Sequence, residues 1–428
     1  MLNKRYILTV CLLLSILITN AQNNASKRSD NTAKIELISS DIETSIVKLS
    51  FENFQTKNIQ TPSGLSQQLS LKGAVPVLFA GAPEILSVST SIIIPDNAEM
   101  DIKVIAESFT DYQNINIAPS KGNLTRDINP SSIPYNYGKQ YQINEFYPGK
   151  LAELKSPYIL RDYRGQSISF YPFQYNPVTK VLRVYHSLIV KATNIGISNY
   201  NNLQRTKTFT KVDGEFKSIY KTQFINSNSG NTKYTPVEEN GKMLIICPDQ
   251  YMSSMMPLVK WRNISGIPTQ IVSVTTAGNT NTAIKSYISN YYNTNGLTYV
   301  ILVGDVADIP TFTAAGGGSD NSYGYLLGND HYPEVFIGRI SAESFVHVNT
   351  QVQKILTYEM NPSNGNGWLN RGTGIASSEG PGDNNEYDYQ HIRNIRTKLM
   401  SYEYSSCSEL YDGNQGGVDA TGNPTTAM

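Results

Sequence analysis

The chain has 428 residues with 35 basic and 35 acidic side chains, so its formal net charge is zero. This balance excludes a strong electrostatic attraction to nucleic acid or to an anionic surface. The length allows two or three domains with cores of their own. The three cysteines, Cys11, Cys247 and Cys407, have no spacing typical of a zinc site or a disulfide framework. A bridge between Cys247 and Cys407 stays open.

The N-terminus has the parts of a secretory signal peptide. Lys4 and Arg5 precede the apolar run 7–18, and the small residue Ala21 follows it. The run is too short to span a bilayer comfortably. We therefore predict a signal peptide over residues 1–21, no transmembrane segment in the mature protein, and a secreted or cell-surface location.

Residues 22 to about 226 are predicted to be all-β. Short apolar or alternating runs recur, turn residues separate them, and helical periodicity is weak. The pattern fits a sandwich or a barrel. The clearest runs are Ile46–Phe51, Ala74–Phe79, Ile85–Ile94, Glu99–Ser108, Ser167–Tyr175 and Lys180–Ala192.

A linker is predicted at Asn226–Lys233, where the residues are mostly Ser, Asn and Gly and the last one is basic. Exposed polar segments of this kind are preferred sites of proteolytic cleavage. Cleavage at Lys233 and a passive linker are both open from the residues alone. The predicted domains are therefore 22–233 and 234–428.

After Tyr234, strand and helix patterns alternate along the chain. This alternation favours a parallel sheet with helices on its faces, that is, an α/β domain. The predicted strands are Met243–Cys247, Thr269–Val274, Tyr299–Val303 and Gly374–Ser377, and the predicted helices are Gln250–Trp261, Thr282–Tyr292, Ser344–Tyr358 and Asn385–Tyr402.

Acidic residues follow the strand Tyr299–Val303. Asp305 lies at the presumed carboxyl end of this strand, where α/β proteins build their sites. Asp330, Tyr332 and Glu334 come later at alternate positions, so in an extended segment they face the same side. Asp330 and Glu334 can then converge on one cation. Ordinary turn chemistry explains the same loop residues equally well.

A second group of acids follows the strand Gly374–Ser377. Glu379 comes directly after it, and Glu386, Asp388 and His391 lie on the first turns of the next predicted helix. Acids early in a helix also complement the helix dipole. The residues alone leave a site and a dipole effect both open.

Several segments in the same order resemble the gingipain family, the secreted cysteine endopeptidases of peptidase family C25, and are most similar to its arginine-specific type. The resemblance covers nearly the whole chain, with 22–233 similar to the propeptide and 234–428 to the first half of the peptidase domain. The matching segments are Ala118–Leu124, Tyr234–Glu239, Thr298–Val300, Val303–Asp305, Gly328–Tyr332, Val335–Arg339 and Ile375–Ser377.

The resemblance implies a caspase-like α/β/α domain with structural Ca²⁺. It places the ligands of one Ca²⁺ on Asp305, the Leu327 carbonyl, Asp330, the Tyr332 carbonyl and Glu334, and those of a second on Glu386 and His391.

The resemblance also implies the roles of the remaining candidate residues. Asp388 would form the acidic base of the pocket for a substrate arginine, although an acid can serve lysine as well. Glu379 would orient the catalytic histidine. Arg126 would block the cleft in the latent form, or is simply a surface residue in a turn. Polypeptides with a basic residue before the cleaved bond, the chain's own prosegment as an inhibitor, and export by type IX secretion are further implications.

The family's catalytic histidine lies in a Gly-His-Gly segment, and its cysteine shortly precedes Asn-Gly. Neither motif occurs in this chain. We therefore expect a precursor that is truncated before both residues and has no peptidase activity. Two alternatives stay open: a non-catalytic binding or inhibitory protein, and a secretion-system maturation protease of the same clan.

Overall fold

A computed structural model describes residues 31–125, 128–205, 211–228, 237–361, 367–382, 386–412 and 415. The expected signal peptide, Arg126 and Lys233 lie outside these ranges. Within them, no helix is long and apolar enough to cross a membrane. We refer to residues 31–228 as the N-terminal part and to residues 237–412 as the C-terminal part.

The N-terminal part is built from two antiparallel sheets. One has the order β1-β2-β12-β11, with β7 also paired to β12, and the other has the order β5-β6-β10-β8, with β9 also paired to β10. The strands are β1 (Lys34–Ser40), β2 (Thr44–Ser50), β3 (Gln55–Thr61), β4 (Gly64–Ser70), β5 (Val75–Pro76), β6 (Leu86–Ile94), β7 (Ala98–Tyr112), β8 (Ala152–Leu154), β9 (Tyr158–Leu160), β10 (Tyr163–Phe170), β11 (Phe173–Asn176), β12 (Val181–Ile197) and β13 (Lys211–Asp213).

The two sheets face each other across one core. Val47 and Leu49 of β2 pack there with Ile92 of β6, Ile168 of β10 and Leu188 of β12, and all five are nearly inaccessible to water. Alternate residues of each strand point into this core, as the two-residue period of a strand requires. The predicted strand-rich fold is thus confirmed, and it is a sandwich rather than a barrel.

Two local predictions for the N-terminal part differ from the structure. Only Val75–Pro76 of the predicted run Ala74–Phe79 forms a strand, since a proline has no amide hydrogen for the sheet. The hairpin of β3 and β4 is mostly polar, so the apolar pattern does not predict it.

One helix, α1 (Gly214–Gln223), ends the N-terminal part and is absent from the all-β prediction. Asp213 caps it, because its Oδ1 accepts hydrogen bonds from the amides of Glu215 and Phe216 at 3.0 and 3.3 Å. Such a cap contributes about 1 kcal/mol. Phe216 and Tyr220 are buried and lie four residues apart, which is the helical signal that the strand pattern around them obscured.

The C-terminal part contains a four-stranded parallel sheet of order β16-β15-β17-β20. Its strands and their neighbours are β14 (Val237–Glu239), β15 (Met243–Cys247), β16 (Thr269–Ser273), β17 (Tyr299–Val303), β18 (Phe312–Ala314), β19 (Gly317–Ser319), β20 (Phe336–Ile340), β21 (Arg371–Ala376) and β22 (Ser406–Tyr411). The helices are α2 (Met252–Ile264), α3 (Val274–Ala277), α4 (Asn281–Asn295), α5 (Phe345–Met360) and α6 (Asp388–Ser401).

Helices cover both faces of the four-stranded sheet. Leu244 and Ile246 of β15 pack against Ile284 of α4 on one face. Met243 and Ile245 pack on the opposite face, where α2 and α5 lie. Neighbouring residues of one strand therefore bury themselves in different cores, which explains why the whole strand is apolar. The expected α/β/α layering is confirmed.

A second parallel pair, β21 and β22, carries helix α6 on its surface. The approach is close at Gly374, where an added Cβ would lie 2.5 Å from Cγ2 of Ile392. Glycine is therefore required at this crossing of strand and helix. The arrangement brings the end of β21 and the first turn of α6 together.

Candidate active site and cation site

Gly304 and Asp305 turn the chain sharply away from the end of β17. Gly304 has a backbone φ of +110°, a value that residues with a Cβ rarely adopt. Asp305 is half-buried, and its Oδ1 accepts a hydrogen bond from the amide of Val306 at 2.8 Å. The strand end therefore presents a carboxylate, as the sequence predicts.

Arg339, at the end of the neighbouring strand β20, holds this turn in place. Its Nη1 donates to the carbonyl of Gly304 at 3.0 Å, while Nε and Nη2 bind both carboxylate oxygens of Asp320 at 2.7 Å. The hydrogen bonds from Arg339 lower the pKa of Asp320. Arg339 and Asp320 thus hold the carboxyl ends of β17 and β20 together. The matching segment Val335–Arg339 does not predict this role.

Glu334 is fully buried at the end of the loop before β20. Its Oε2 accepts hydrogen bonds from the amides of Leu326 and Leu327 at 2.7 and 3.0 Å, whereas its Oε1 is buried with no hydrogen-bond partner. Burial raises the pKa of Glu334 to about 7, and the negative charge of Asp330 adds to the effect. Burying a carboxylate oxygen without a partner costs folding free energy unless a cation or a proton neutralises the charge.

Asp330 lies near Glu334 and is itself held by hydrogen bonds. Its Oδ1 accepts from the amide of Tyr332 at 3.0 Å, and its Oδ2 accepts from the amide of Ile159 at 2.8 Å. In the described part of the chain, no hydrogen bond ends on the carbonyl of Leu327 or of Tyr332. These free oxygens and the open oxygen of Glu334 are the hard donors that Ca²⁺ prefers.

Asp305 does not join Asp330 and Glu334 in a compact cluster. Across the described ranges, no three His, Cys, Asp or Glu side chains are grouped so that they could hold a metal ion. The open oxygen of Glu334 is the observation that fits a cation, and the assignment of Asp330 and Asp305 as further carboxylate ligands stays a prediction.

Glu386 and His391, the second predicted cation pair, are brought together at the start of α6. The ring nitrogen Nδ1 of His391 lies 2.9 Å from Oε2 of Glu386, and Asn394 donates to Oε1 at 2.9 Å. Both carboxylate oxygens therefore already have partners from the same helix.

Glu379 and Asp388 are connected through Ser377 at the end of β21. The hydroxyl of Ser377 donates to Oδ2 of Asp388 at 2.7 Å and accepts from the amide of Glu379 at 3.1 Å. The amide of Asp388 donates to the Glu379 carbonyl at 2.9 Å. Glu379 is exposed and Asp388 is half-buried. One small network thus connects the two predicted acids, and Ser377 is marked in the sequence only by the matching segment Ile375–Ser377.

The two described cysteines are free thiols in apolar surroundings. Cys247 is inaccessible to water, and burial raises its pKa to about 12. Cys407 is 3% exposed. The open question of a bridge between them is settled, because both sulfurs are unpaired. Neither has the accessible thiolate that a nucleophile needs.

The N-terminal part packs directly against the loop that carries Asp330 and Glu334. The ring of Tyr158 stacks on Tyr332 with 4.1 Å between centroids, and Nη1 of Arg161 donates to the Glu334 carbonyl at 2.8 Å. Asn201 accepts from the amide of Asn329 at 2.7 Å. Tyr158, Arg161 and Asn201 are isolated positions in the sequence, and no motif or period marks them.

Two family models match the chain: Propeptide_C25 over residues 23–228 and Peptidase family C25 over residues 237–423. Gingipain R1 of Porphyromonas gingivalis is 38% identical over 425 residues, which are 96% of this chain and 42% of that protein. Gingipain R2 of the same species is 38% identical over 391 residues, which are 89% of this chain and 52% of that protein. The chain thus spans about half the length of these relatives.

A solved complex of the pro- and mature domains of RgpB from Porphyromonas gingivalis is also similar. It is 34% identical, with a TM-score of 0.43, and the match covers 46% of this chain and 97% of that one. The two family models lie in succession and together take in the sandwich and the α/β part. The chain belongs to the gingipain family, with a C25 propeptide followed by sequence of peptidase family C25.

Proposed function

We propose that this chain is the zymogen form of a gingipain-like cysteine endopeptidase that cleaves after basic residues, with arginine preferred. The observation that carries the proposal is the network of Glu379, Ser377 and Asp388 at the end of β21. The preference for arginine is supported by the 38% identity to the R-type gingipains, against 21% to Lys-gingipain HG66.

Asp388 has the chemistry of a pocket base. The Ser377 hydroxyl donates to Oδ2 of its carboxylate at 2.7 Å, and the main-chain amide of Asp388 donates to the Glu379 carbonyl at 2.9 Å. A carboxylate held in this way binds a guanidinium group through charge-assisted hydrogen bonds. Lysine would be bound as a point charge by the same group, so the selectivity depends on the geometry of the whole pocket.

Glu379 is proposed to orient a catalytic histidine. In the proposed reaction, a cysteine thiolate attacks the peptide carbonyl, and the histidine transfers its proton to the leaving amine. The described residues offer no candidate for this pair, because Cys247 and Cys407 are both buried. We therefore assign only the orienting and the substrate-binding acids in this chain.

The buried thiols are also the observation that favours the second candidate, a non-catalytic binding or inhibitory protein. Such a protein would keep the sandwich docked on the C-terminal part without hydrolysing peptides. Arg126 as the blocking residue of the cleft and Lys233 as the processing site belong to the first candidate, and both lie outside the described residues.

Structural Ca²⁺ is part of the proposal. Glu334 and Asp330 would hold the ion with the carbonyls of Leu327 and Tyr332, and Asp305 is the further expected ligand. When bound, the ion would supply positive charge to the unpaired oxygen of Glu334. Export as a secreted or surface protein through an N-terminal signal, and the type IX route, are proposed from the family and the sequence.

Binding of benzamidine to the purified full chain tests the role of Asp388. Benzamidine carries a planar amidinium cation that resembles the guanidinium group of arginine, so we expect saturable binding. Asp388→Asn should weaken it about tenfold or more, since the charge is lost while the Ser377 hydrogen bond is kept. Calorimetry or ligand-observed NMR measures the affinity. Asp101→Asn, on β7, is the control and should bind normally. No binding, or equal binding by Asp388→Asn, contradicts the assignment.

A further inference from the structure

Residues of the N-terminal part hold Asp330 in its place. The amide of Ile159 donates to Oδ2 of Asp330 at 2.8 Å, and Nδ2 of Asn201 donates to the same oxygen at 3.3 Å. Oδ1 of Asn201 in turn accepts from the amide of Asn329. One asparagine therefore grips two consecutive residues of the loop, from 129 and 128 positions away in sequence.

The amide of Ile159 belongs to a strand with one unpaired side. Strand β9 pairs with β10, and Ile159 lies opposite Arg164 in that pairing. The outward amides of an edge strand need partners when they are covered. Asp330 supplies that partner, so the edge of the N-terminal sheet and the carboxylate of the C-terminal loop complete each other.

The N-terminal part also contacts the other end of this loop, at Glu334. Nη1 of Arg161 donates to the carbonyls of Leu297 and Glu334 at 2.7 and 2.8 Å. The stacked ring of Tyr158 fixes Tyr332 between the two ends. The loop 328–334 is thus shaped along its length by contacts with the N-terminal part.

The same loop carries the open oxygen of Glu334. That oxygen is buried, unpaired and part of a residue with no exposure to water. A cation placed there would favour the loop conformation in which Glu334 is inside and Asp330 is nearby. The contacts of the N-terminal part favour that same conformation.

We propose that docking of the N-terminal part and binding of Ca²⁺ at Glu334 and Asp330 are thermodynamically linked, each strengthening the other through the loop 328–334. Linkage requires this effect to be reciprocal: if the docked Asn201 and Ile159 raise the affinity for Ca²⁺, then Ca²⁺ tightens the hold of the N-terminal part by the same factor. The inference rests on the cation site of the proposed function.

Titration of the full chain with Ca²⁺ tests the first direction. Asn201 has a positive φ of 46°, so Asn201→Gly removes its side chain without straining the backbone. Asn114 is an exposed asparagine of the same part with a φ of 59°, and Asn114→Gly is the matched control. Because residues that position a metal ligand typically change affinity 10- to 100-fold, we expect about tenfold weaker Ca²⁺ binding in Asn201→Gly and no change in Asn114→Gly.

Calorimetry on Glu334→Gln identifies which binding step belongs to this loop, since that step should disappear. If Asn201→Gly and the control bind Ca²⁺ at this step with the affinity of the unaltered chain, the linkage is overturned while the cation site stands. If the chain has no step that depends on Glu334, the cation site itself is wrong, and the linkage falls with it.

Hydrogen exchange of the Ile159 amide tests the reciprocal direction in the same full chain. Its hydrogen bond to Asp330 should break less often when Ca²⁺ is bound, so exchange should slow by about the factor found in the titration. The amide of Val190 in the sandwich core should not respond. An unchanged Ile159 rate in saturating Ca²⁺ overturns the proposal, because reciprocity has no exception for binding free energies.

Discussion

The Arg161 guanidinium lies between the rings of Phe216 and Tyr292, with its central carbon 4.5 and 5.5 Å from their centroids. The residue has a positive φ of 49°, a conformation that is unfavourable for most side chains and persists only where the surroundings enforce it. Its hydrogen bonds to the carbonyls of Leu297 and Glu334 tie the two parts of the chain together. At the residue scale, this flat cation is the main polar anchor of the interface.

Arg161→Lys should therefore destabilise the protein by about 2 kcal/mol, because an ammonium cannot stack between two rings and make both charged hydrogen bonds. Denaturant unfolding measures the loss, and hydrogen exchange near Leu297 and Glu334 should accelerate. Arg183 is the matched control. The Arg183 guanidinium also lies over two rings and binds Asp111, but within the sheet that contains β7 and β12 of the N-terminal part. Arg183→Lys should leave exchange at Leu297 and Glu334 unchanged, and an equal effect of both variants would contradict the anchor role.

At the scale of elements, the side chain of Arg339 reinforces the junction between the ends of β20 and β17. Arg339 reaches from β20 to the Gly304 carbonyl and at the same time binds Asp320, which follows β19. Parallel strands have no hairpin to connect neighbouring ends, and the side chain of Arg339 adds to the main-chain hydrogen bond from Gly304 to Ile340. In the sequence, Val335–Arg339 is marked only as a segment that matches the family, and the bridging role of Arg339 appears only once the strands are side by side.

This pair makes a specific pH prediction. The hydrogen bonds from Arg339 lower the pKa of Asp320 in the native state, so its stabilising effect is present above the ordinary aspartate pKa of about 4 and is lost as the pH falls through the native value. Asp320→Asn should cost about 2 kcal/mol at pH 7, and the difference from the unaltered chain should shrink below about pH 4. Unfolding curves across pH measure it.

Glu343→Gln removes an exposed acid that follows β20 and serves as the control for Asp320→Asn. It should change stability little at any pH. A constant difference between Asp320→Asn and the unaltered chain down to pH 2 would show that the ion pair does not contribute as described.

For the whole molecule, the sandwich and the α/β part share a core as well as polar contacts. The ring of Phe216 in α1 packs on the ring of Phe336 in β20, with 4.9 Å between their centroids. Tyr158, Tyr220 and Phe224 belong to the same apolar cluster. The strand β13 also pairs in parallel with β14. Because the two parts share this cluster and a strand pair, we expect them to unfold as one unit.

The burial of both described cysteines leads to a prediction on thiol reactivity and peptidase activity. Residues 22–428, which are the chain without the predicted signal peptide, should hydrolyse no arginyl-amide substrate, because Cys247 and Cys407 are buried and the pKa of Cys247 is raised to about 12. In a thiol titration, neither should react while the protein is folded, and both should react in denaturant. Trypsin is the positive control for the substrate. Hydrolysis, or rapid reaction of a native thiol, would contradict the prediction.

The sequence by itself determined the class of each part, because the two-residue period of the sandwich and the apolar runs of the parallel sheet are local patterns. It also predicted Glu379, Asp388, Asp330 and Glu334 as candidate site residues, from their positions after strands and from the order of short motifs, and their roles stay predictions. The helix α1 was missed because its apolar spacing covers little more than two turns in a strand-rich context.

Only the tertiary structure decided which partners these residues have. That Ser377 joins Glu379 to Asp388 depends on the crossing of β21 and α6. That Ile159 and Asn201 hold Asp330 depends on residues 171 and 129 positions apart meeting at an interface. No local pattern encodes such pairs, since their contact follows from how elements distant in the sequence pack together. The sequence therefore predicts the acids that follow the strands, but it does not predict their hydrogen-bond partners Ser377, Ile159 and Asn201.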